Sequence, residues 1–129
     1  MSDKLAYRLK SDQPFETVVA NLEMQTTEHG FKVLHIHDVQ QTLASKGLER
    51  GLLKIIEVCN AKFAHQALSQ DILVALFMPC KITVHEEDGS TIMTMARPSM
   101  IAEMMPEADL EKLATGVENT LKDIMKASK

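Results

Sequence analysis

The chain has 129 residues, of which 45% are hydrophobic and 25% charged, and its formal net charge is −4. This length and composition predict one soluble globular α+β domain over residues 1–129, too short to divide into two. The acidic balance disfavours DNA or RNA as a partner, because nucleic-acid binders concentrate Lys and Arg on one face.

The N-terminal segment MSDKLAYRLK alternates polar and apolar residues and lacks the long apolar core of a signal peptide. No apolar run approaches the length needed to span a bilayer. We therefore expect a cytoplasmic protein with no membrane partner. In that compartment, its two cysteines are expected to be thiols rather than a structural disulfide.

Hydrophobic periodicity divides the first half of the chain into alternating strands and helices. Leu5, Tyr7 and Leu9 alternate with polar neighbours, which predicts a short half-buried strand. Apolar residues then recur at helical spacing from Phe15 until Gly30, which predicts an amphipathic helix. The elements that follow are a strand over 31–39, a short helix over 39–45 and a strand over 52–58.

The second half begins with a helix for which Asn60 is the expected N-cap. The apolar residues of this helix face inward, whereas Lys62 and His65 face away. A strand is predicted over 72–86, followed by a tight turn at Asp88 and Gly89 and a returning strand over 91–97. A short helix over 98–106 and a longer amphipathic helix over 107–126 complete the chain.

The predicted order of elements is therefore β-α-β-α-β-α-β-β-α-α. Such an order, with a hairpin near its end, favours an α+β fold in which a mostly antiparallel sheet carries the helices on one face.

Two short motifs are specific enough to compare with a known family. The first is a Cys-Asn-x-Lys-x-Ala turn that begins at Cys59, and the second is Pro79 followed by Cys80. The stretches around them, GFKVLHIHDVQQTL, CNAKFAHQAL, LVALFMPCKITV and ARPSMIAEMM, span nearly the whole chain. Together they resemble the Domain of Unknown Function 302 family. The resemblance implies a TATA-binding-protein-like α+β fold and a homodimer, without an established activity.

Two residues depart from the pattern of that family. Relatives often carry Pro where this chain has Ala61, and Asn where it has Lys81. The first difference loosens the turn after Cys59, and the second changes the polar surroundings of Cys80.

The two cysteines are the leading candidates for chemistry. Cys59 precedes a predicted helix N-terminus, where unpaired N–H groups and Lys62 one turn later would lower the pKa of its thiol. A two-residue hairpin turn would place Arg97 opposite Cys80, and a guanidinium there would favour the Cys80 thiolate.

Whether the two sulfurs meet depends on how their strands are arranged. Parallel neighbours joined by the Asn60 helix would bring Cys59 and Cys80 level. Antiparallel neighbours, with the second strand starting near Ile72, would leave Cys80 about 20 Å away at ~3.3 Å per residue. A disulfide needs Cα atoms within about 7 Å, so this topology decides the question.

The leading functional hypothesis is sulfur or thiol redox chemistry, with Cys59 and Cys80 as catalytic residues. Sulfur could also be carried as a persulfide on Cys59, and the partner would be a small sulfur compound or a thiol protein. Asn60, Lys62, His65 and Arg97 are the candidate ligand-binding residues. The competing interpretation is that both cysteines are apolar filler, which is the commoner role of free cysteine.

Two other classes of function stay open. One is a non-catalytic module that binds a small ligand or a protein and forms a homodimer, with methionines near Met104 as an adaptable interface. The other is a soft-metal site for copper or zinc, or a haem site, built from His35 and His37 or from Met93 and Met95. No CxxC, HxxxH or four-ligand set supports a metal, so the leading hypothesis includes no metal and no cofactor. The sequence also lacks the GxSxG, P-loop and GxGxxG motifs, and does not decide whether the protein is an enzyme.

Overall fold

The structure is a computed structural model that describes residues 4–129. Its centre is a five-stranded sheet with the spatial order β1-β5-β4-β3-β2, in which every pair of neighbours is antiparallel. The strands are β1 (Ala6–Ser11), β2 (Lys32–Asp38), β3 (Leu53–Cys59), β4 (Cys80–Glu87) and β5 (Ser90–Ala96).

Five α-helices connect and cover the strands. They are α1 (Phe15–Glu28), α2 (Val39–Ala44), α3 (Ala61–Gln70), α4 (Pro98–Met104) and α5 (Glu111–Ser128). Two 3₁₀ helices, Ile72–Phe77 and Pro106–Ala108, lie between them. The predicted α+β class, the antiparallel sheet and the order of strands and α-helices are confirmed. None of the helices in residues 4–129 is both long and apolar enough to cross a bilayer.

The main core lies between one face of the sheet and helices α1 and α5. Side chains alternate along a strand, so every second residue of β3, β4 and β5 points to this face. These residues are buried against apolar residues of the two helices, and the set comprises Ile56, Val58, Ile82, Val84, Met93, Met95, Val18, Leu22, Leu121 and Ile124. The sheet therefore has one face that is packed against helices.

The opposite face of the sheet is largely polar. Arg8 on β1 forms an ion pair with Glu87 at 3.1 Å, and His37 on β2 contacts Glu57 of β3 at 3.1 Å. At the outer edge of the sheet, the pairing of β2 with β3 is interrupted by a bulge between Val33 and His35. Alternation of apolar and polar residues is typical of an antiparallel sheet with one solvated face.

The hairpin between β4 and β5 forms as predicted. Asp88 and Gly89 both have positive φ angles, 51° and 79°, as a two-residue hairpin turn of the I′ type requires. Because this turn fixes the register, Ile82 pairs with Met95 and Val84 with Met93, which confirms the predicted pairing.

The predicted strand over 72–86 is wrong in its first half. Residues Ile72–Phe77 form a 3₁₀ helix, and β4 begins only at Cys80. The side chain of Asp71 accepts a hydrogen bond from the N–H of Leu73 at 2.9 Å and so caps the 3₁₀ helix. A short continuous apolar run does not distinguish a strand from a helix by its periodicity.

The last helix also begins later than predicted, at Glu111 rather than residue 107. Pro106–Ala108 forms a separate 3₁₀ helix, and Asp109 has a left-handed conformation with φ of 55°. A continuous α-helix cannot pass through a left-handed residue, so α5 starts after it.

Candidate functional site

An apolar cavity of about 100 Å³ lies at the end of the sheet where β3 finishes and β4 begins. Helices α3, α4 and α5 and the Ile72–Phe77 helix form its other walls. Phe31, Phe63 and Phe77 contribute aromatic rings to the lining, and the rings of Phe31 and Phe63 lie 6.0 Å apart. Concave sites with mostly apolar walls are the usual form of small-ligand pockets.

The cavity exists because small side chains face one another around it. Ala64 and Ala67 on α3, Ala102 on α4 and Ala114 on α5 all line the space. An alanine contributes a single methyl group, so helices held apart by their other contacts leave a void between such residues. Sequence analysis placed Ala64 and Ala67 inward but missed this hollow, because the four alanines come from three separate helices.

The structure brings Cys59 and Cys80 to the same cavity. Cys80 is the Cα partner of Val58, the residue that immediately precedes Cys59, and both cysteines line the cavity. The strands are antiparallel, the arrangement for which we expected the cysteines to lie far apart. That expectation is wrong because β4 begins at Cys80, so the first residue of β4 meets the end of β3.

Both thiols are harder to ionise than an ordinary cysteine. Burial raises the pKa of Cys59, and burial together with the nearby Cys59 raises the pKa of Cys80 to about 11, although the charge of Lys81 acts in the opposite direction. The expected lowering of the Cys59 pKa is therefore wrong. Neutral thiols in the cavity wall present polarisable, weakly polar surface.

The N-terminus of α3 is capped by Asn60. The N–H of Phe63 donates a hydrogen bond to Oδ1 of Asn60 at 3.0 Å, so the amide group is already satisfied by the N-cap. The Nδ2 group of Asn60 donates to the carbonyl oxygen of Gly30 at 2.9 Å. Asn60 is thus the predicted N-cap, and it also fixes the start of α3 beside the loop before β2.

Arg97 does not act on Cys80 as predicted. Its Nε donates to Oε2 of Glu118 on α5 at 3.1 Å, and Glu118 is only 4% exposed. Ser99 also donates to Glu118, from its backbone N–H at 3.0 Å and its hydroxyl at 2.6 Å, and the Lys122 ammonium lies 3.3 Å away. The guanidinium is directed to α5 because a buried carboxylate requires partners of this kind.

The pKa of Glu118 reflects this set of partners. Burial alone would raise it, but the hydrogen bonds from Ser99, Arg97 and Lys122 outweigh burial and lower the pKa to about 2. Glu118 therefore links the N-terminus of α4 to α5 as a permanent anion at neutral pH. The sequence carries no local signal for Glu118, because Arg97 and Ser99 lie about twenty positions before it in the chain.

The other predicted ligand-binding residues lie outside the cavity wall. Lys62 and His65 are exposed on α3, on the side turned away from the cavity that Phe63 and Ala64 line. Of the six predicted site residues, the cavity therefore brings together Cys59, Asn60 and Cys80.

The residues considered for a soft metal or a haem lie on opposite faces of the sheet. Met93 and Met95 are buried in the core beneath α1 and α5, whereas His35 and His37 stand on the solvated face with ring centroids 4.4 Å apart. Within residues 4–129, no cluster of three or more His, Cys, Asp or Glu side chains could hold a metal ion. The geometry therefore gives these residues no shared site.

An open groove of about 500 Å³ runs beside the cavity, on the other side of Phe77 and Pro79. Its apolar side chains include Leu5, Leu76 and Met104, which are 52%, 76% and 57% exposed. The expectation of a strand over 72–86 concealed this groove, because Leu76 would then have lain inside a sheet.

These features define the class of the protein: a small α+β protein with a five-stranded antiparallel sheet, helices on one face and an apolar cavity at one end of the sheet. The family model for the domain of unknown function DUF302 matches residues 7–128. The chain belongs to this family.

A solved structure supports the same assignment. The crystal structure of an uncharacterized conserved DUF302 protein from Bacillus stearothermophilus is similar, with a TM-score of 0.92 and 30% sequence identity. The match covers 97% of this chain and 98% of that one. No curated protein matches the sequence.

Proposed function

We propose that the cavity of this protein binds an uncharged, apolar group, either a small molecule or the apolar end of a longer one, with Cys59 and Cys80 as neutral thiols in the wall. The observation that carries the proposal is a hollow of about 100 Å³ with almost entirely apolar walls. Close packing is the rule in protein interiors, and apolar cavities of about 150 Å³ take up ligands the size of benzene.

The raised pKa values of both cysteines favour an uncharged ligand. A thiolate in this wall would attract cations and metals, but a thiol is a weak donor that tolerates apolar contacts. A ligand of about seven to nine non-hydrogen atoms would gain at most about 1.5 kcal/mol per atom, and less in practice. We therefore expect dissociation constants in the micromolar to millimolar range for small aromatic probes.

Binding can be tested by titrating the protein with toluene and indole while recording the NMR signals of alanine methyl groups. The matched pair of variants is Ala114→Leu, which fills the cavity, and Ala20→Leu, which enlarges an exposed alanine of α1. We expect saturable shifts at Ala64, Ala67 and Ala102 in the parent and in Ala20→Leu, and none in Ala114→Leu. Saturable binding that survives Ala114→Leu unchanged, or no binding by the parent, would contradict the proposal.

We propose dithiol exchange as a second candidate function, favoured by the pairing of Val58 with Cys80. Directly opposed Cα atoms in an antiparallel pair lie about 4.5–5.5 Å apart, so the Cα atoms of Cys80 and of Cys59, the residue after Val58, would fall within the Cα range of a disulfide. In this reaction the Cys59 thiolate attacks a small disulfide or an oxidised thiol protein and releases one thiol. Cys80 then attacks the mixed disulfide, releases the second thiol, and leaves an oxidised Cys59–Cys80 pair.

Incubation with oxidised glutathione distinguishes dithiol exchange from cysteines that are only packed in the cavity wall. After incubation at neutral pH, we expect the parent to lose two hydrogen atoms in its intact mass, because both thiols are consumed. Cys80→Ser should stop at the mixed disulfide on Cys59, and Cys59→Ser should react much more slowly. If neither cysteine of the parent reacts, or if the parent accumulates only a mixed disulfide, exchange is excluded as a function.

The homodimer and the cytoplasmic location stay predictions. Sedimentation velocity over a wide range of protein concentrations tests the dimer, and imaging of the tagged full chain in cells tests the location.

A further inference from the structure

The cavity and the groove are neighbouring spaces that share part of their walls. Both are lined by the same five residues, which are Phe77, Pro79, Cys80, Pro98 and Ile101. The partition between them is therefore only one layer of side chains thick, and the Phe77 side chain is 37% exposed within that layer. A ligand that is longer than the cavity would reach the groove by displacing the partly exposed Phe77 side chain.

The groove is an unusual surface for a protein of this size. Leu76, Met104 and Leu5 along it are all more than half exposed, and Met100 and Ile101 extend the same surface. A contiguous apolar patch of this kind marks a binding site more often than it marks ordinary surface. The exposed side chains form a trough rather than a flat patch, which suits a flexible chain.

The charges beside the groove have one sign. Lys81 and Arg97 are the charged residues among the groove-lining part of residues 4–129, and both are positive. Arg97 is engaged by Glu118, whereas the Lys81 ammonium is exposed and donates to the Pro79 carbonyl oxygen at 3.3 Å. Glu57, which lies opposite Lys81 on β3, contacts His37 at 3.1 Å. The groove therefore combines apolar walls with an exposed cation.

We propose that the ligand is a free single-chain amphiphile with an anionic head, such as an unbranched alkyl carboxylate. This inference rests on the proposed function of the cavity. The end of the alkyl chain occupies the cavity, the middle passes Phe77 into the groove between Leu76 and Met104, and the carboxylate lies beside Lys81. Burying each methylene contributes about 0.8 kcal/mol, which is close to a fourfold gain in affinity per carbon.

The test is a calorimetric titration with carboxylates from hexanoate to dodecanoate and with the corresponding alcohols. We expect affinity to increase about fourfold per carbon until the groove is filled. Lys81→Gln should weaken carboxylate binding about two- to fivefold and leave alcohol binding unchanged, because an exposed ion pair contributes up to about 1 kcal/mol. The matched control is Lys10→Gln, which removes an exposed cation from β1.

Three results would overturn the amphiphile proposal while the cavity proposal stands. Toluene or indole could bind while carboxylate affinity stays independent of chain length, or Lys81→Gln could weaken alcohols as much as acids. Binding could also require anionic lipid vesicles instead of free monomers, which would make a membrane surface the partner. Failure of both the aromatic probes and the carboxylates would overturn both proposals.

A second copy of the chain is the other possible occupant of the groove, and the experiment must distinguish it from the amphiphile. If sedimentation shows a dimer that Met104→Glu dissociates, and the carboxylates fail to compete with it, the groove is a subunit interface and the amphiphile proposal is wrong. If the carboxylates bind with the expected dependence on length to both the parent and a monomeric variant, the proposal is supported.

Discussion

The two apolar regions of this protein are packed in different ways. The region beneath the sheet is built from large branched and sulfur-containing side chains, and Leu22, Ile56 and Ile124 in it are 0% exposed. The second region, centred on Val74, Ala102, Ala108 and Leu110, lies at the end of the sheet and borders the cavity. The region beneath the sheet is thus filled by side chains, whereas the region at the end of the sheet borders a cavity.

This difference separates stability from function in the molecule. Large-to-small changes in a filled core remove contacts that cannot be replaced, whereas changes beside an existing void alter its volume at lower cost. The filled region should therefore determine whether the chain folds, and the hollow region what it binds. Substitutions in the two regions test whether stability and binding are separated in this way.

The largest loss of stability is expected from Leu22→Ala in the filled region. Leu22 is fully buried on α1, so the change should lower the free energy of unfolding by about 3–4 kcal/mol. The control is Leu113→Ala, a half-buried residue of α5 that lines the cavity, for which we expect a loss nearer 1–2 kcal/mol. Urea denaturation measures both. Equal losses would mean that the two regions do not differ in packing.

A nearly equal effect is expected at Glu118, but one that depends on pH. The pKa of Glu118 is about 2 in the folded chain against 4.5 for an ordinary glutamate, so its ionisation stabilises the fold by roughly 3 kcal/mol above the unfolded pKa. This contribution is lost as the pH falls through the folded pKa.

Glu118→Gln reports that loss directly. The difference in unfolding free energy between the parent and the variant should be constant above about pH 5 and disappear near pH 2. Urea titrations across this range measure it. A difference that persisted unchanged at pH 2 would contradict the assignment of the lowered pKa to Glu118.

Adding volume should have opposite consequences in the two regions. Val84→Leu enlarges a fully buried side chain of β4 and should cost about 1–3 kcal/mol, because a filled core must shift to accept it. Ala114→Leu extends into the cavity and should change stability by less than about 1 kcal/mol. Thermal unfolding of the pair measures this contrast. A loss at Ala114 as large as that at Val84 would show that the cavity is too small or too rigid to be filled.

The smallest effect on stability, about 1 kcal/mol or less, is expected when Cys80 is replaced by alanine beside the cavity. Its reactivity is the more informative property. With a pKa of about 11, only about one Cys80 thiol in a thousand is ionised at pH 8, so its alkylation should accelerate with pH up to that value. Peptide mass spectrometry after iodoacetamide treatment should find Cys59 modified first. Modification of Cys80 that is fast and independent of pH would show that burial does not control its thiol.

The sequence contained enough information for most of the fold. Alternating apolar residues and the Asp88-Gly89 turn are local signals, and they predicted the hairpin and its register correctly. Asn60 was likewise identified as an N-cap because the capping residue and the amide that it accepts from are three positions apart. Interactions between residues a few positions apart can therefore be predicted from the sequence.

The site depended on relationships that no local pattern contains. β4 begins only after the 3₁₀ helix that Asp71 caps, and the register of β4 with β3 then places Cys80 opposite Val58, next to Cys59. The predicted effect of Arg97 on Cys80 was wrong because the Arg97 guanidinium is held by a carboxylate on α5, about twenty residues later in the chain. The cavity arises from alanines on three helices, so it is visible only once those helices are packed.

The order of the strands has a consequence for synthesis of the chain. In the sheet, β1 pairs with β5, so residues near Ala6 cannot form these pairs until residues near Ala96 have been synthesised. At about 5–20 residues per second, roughly ten seconds of translation separate the two strands. Closing such a long loop is slow, and an unpaired strand is open to wrong partners until it closes. β1 is thus paired only after every residue between it and β5 has been made.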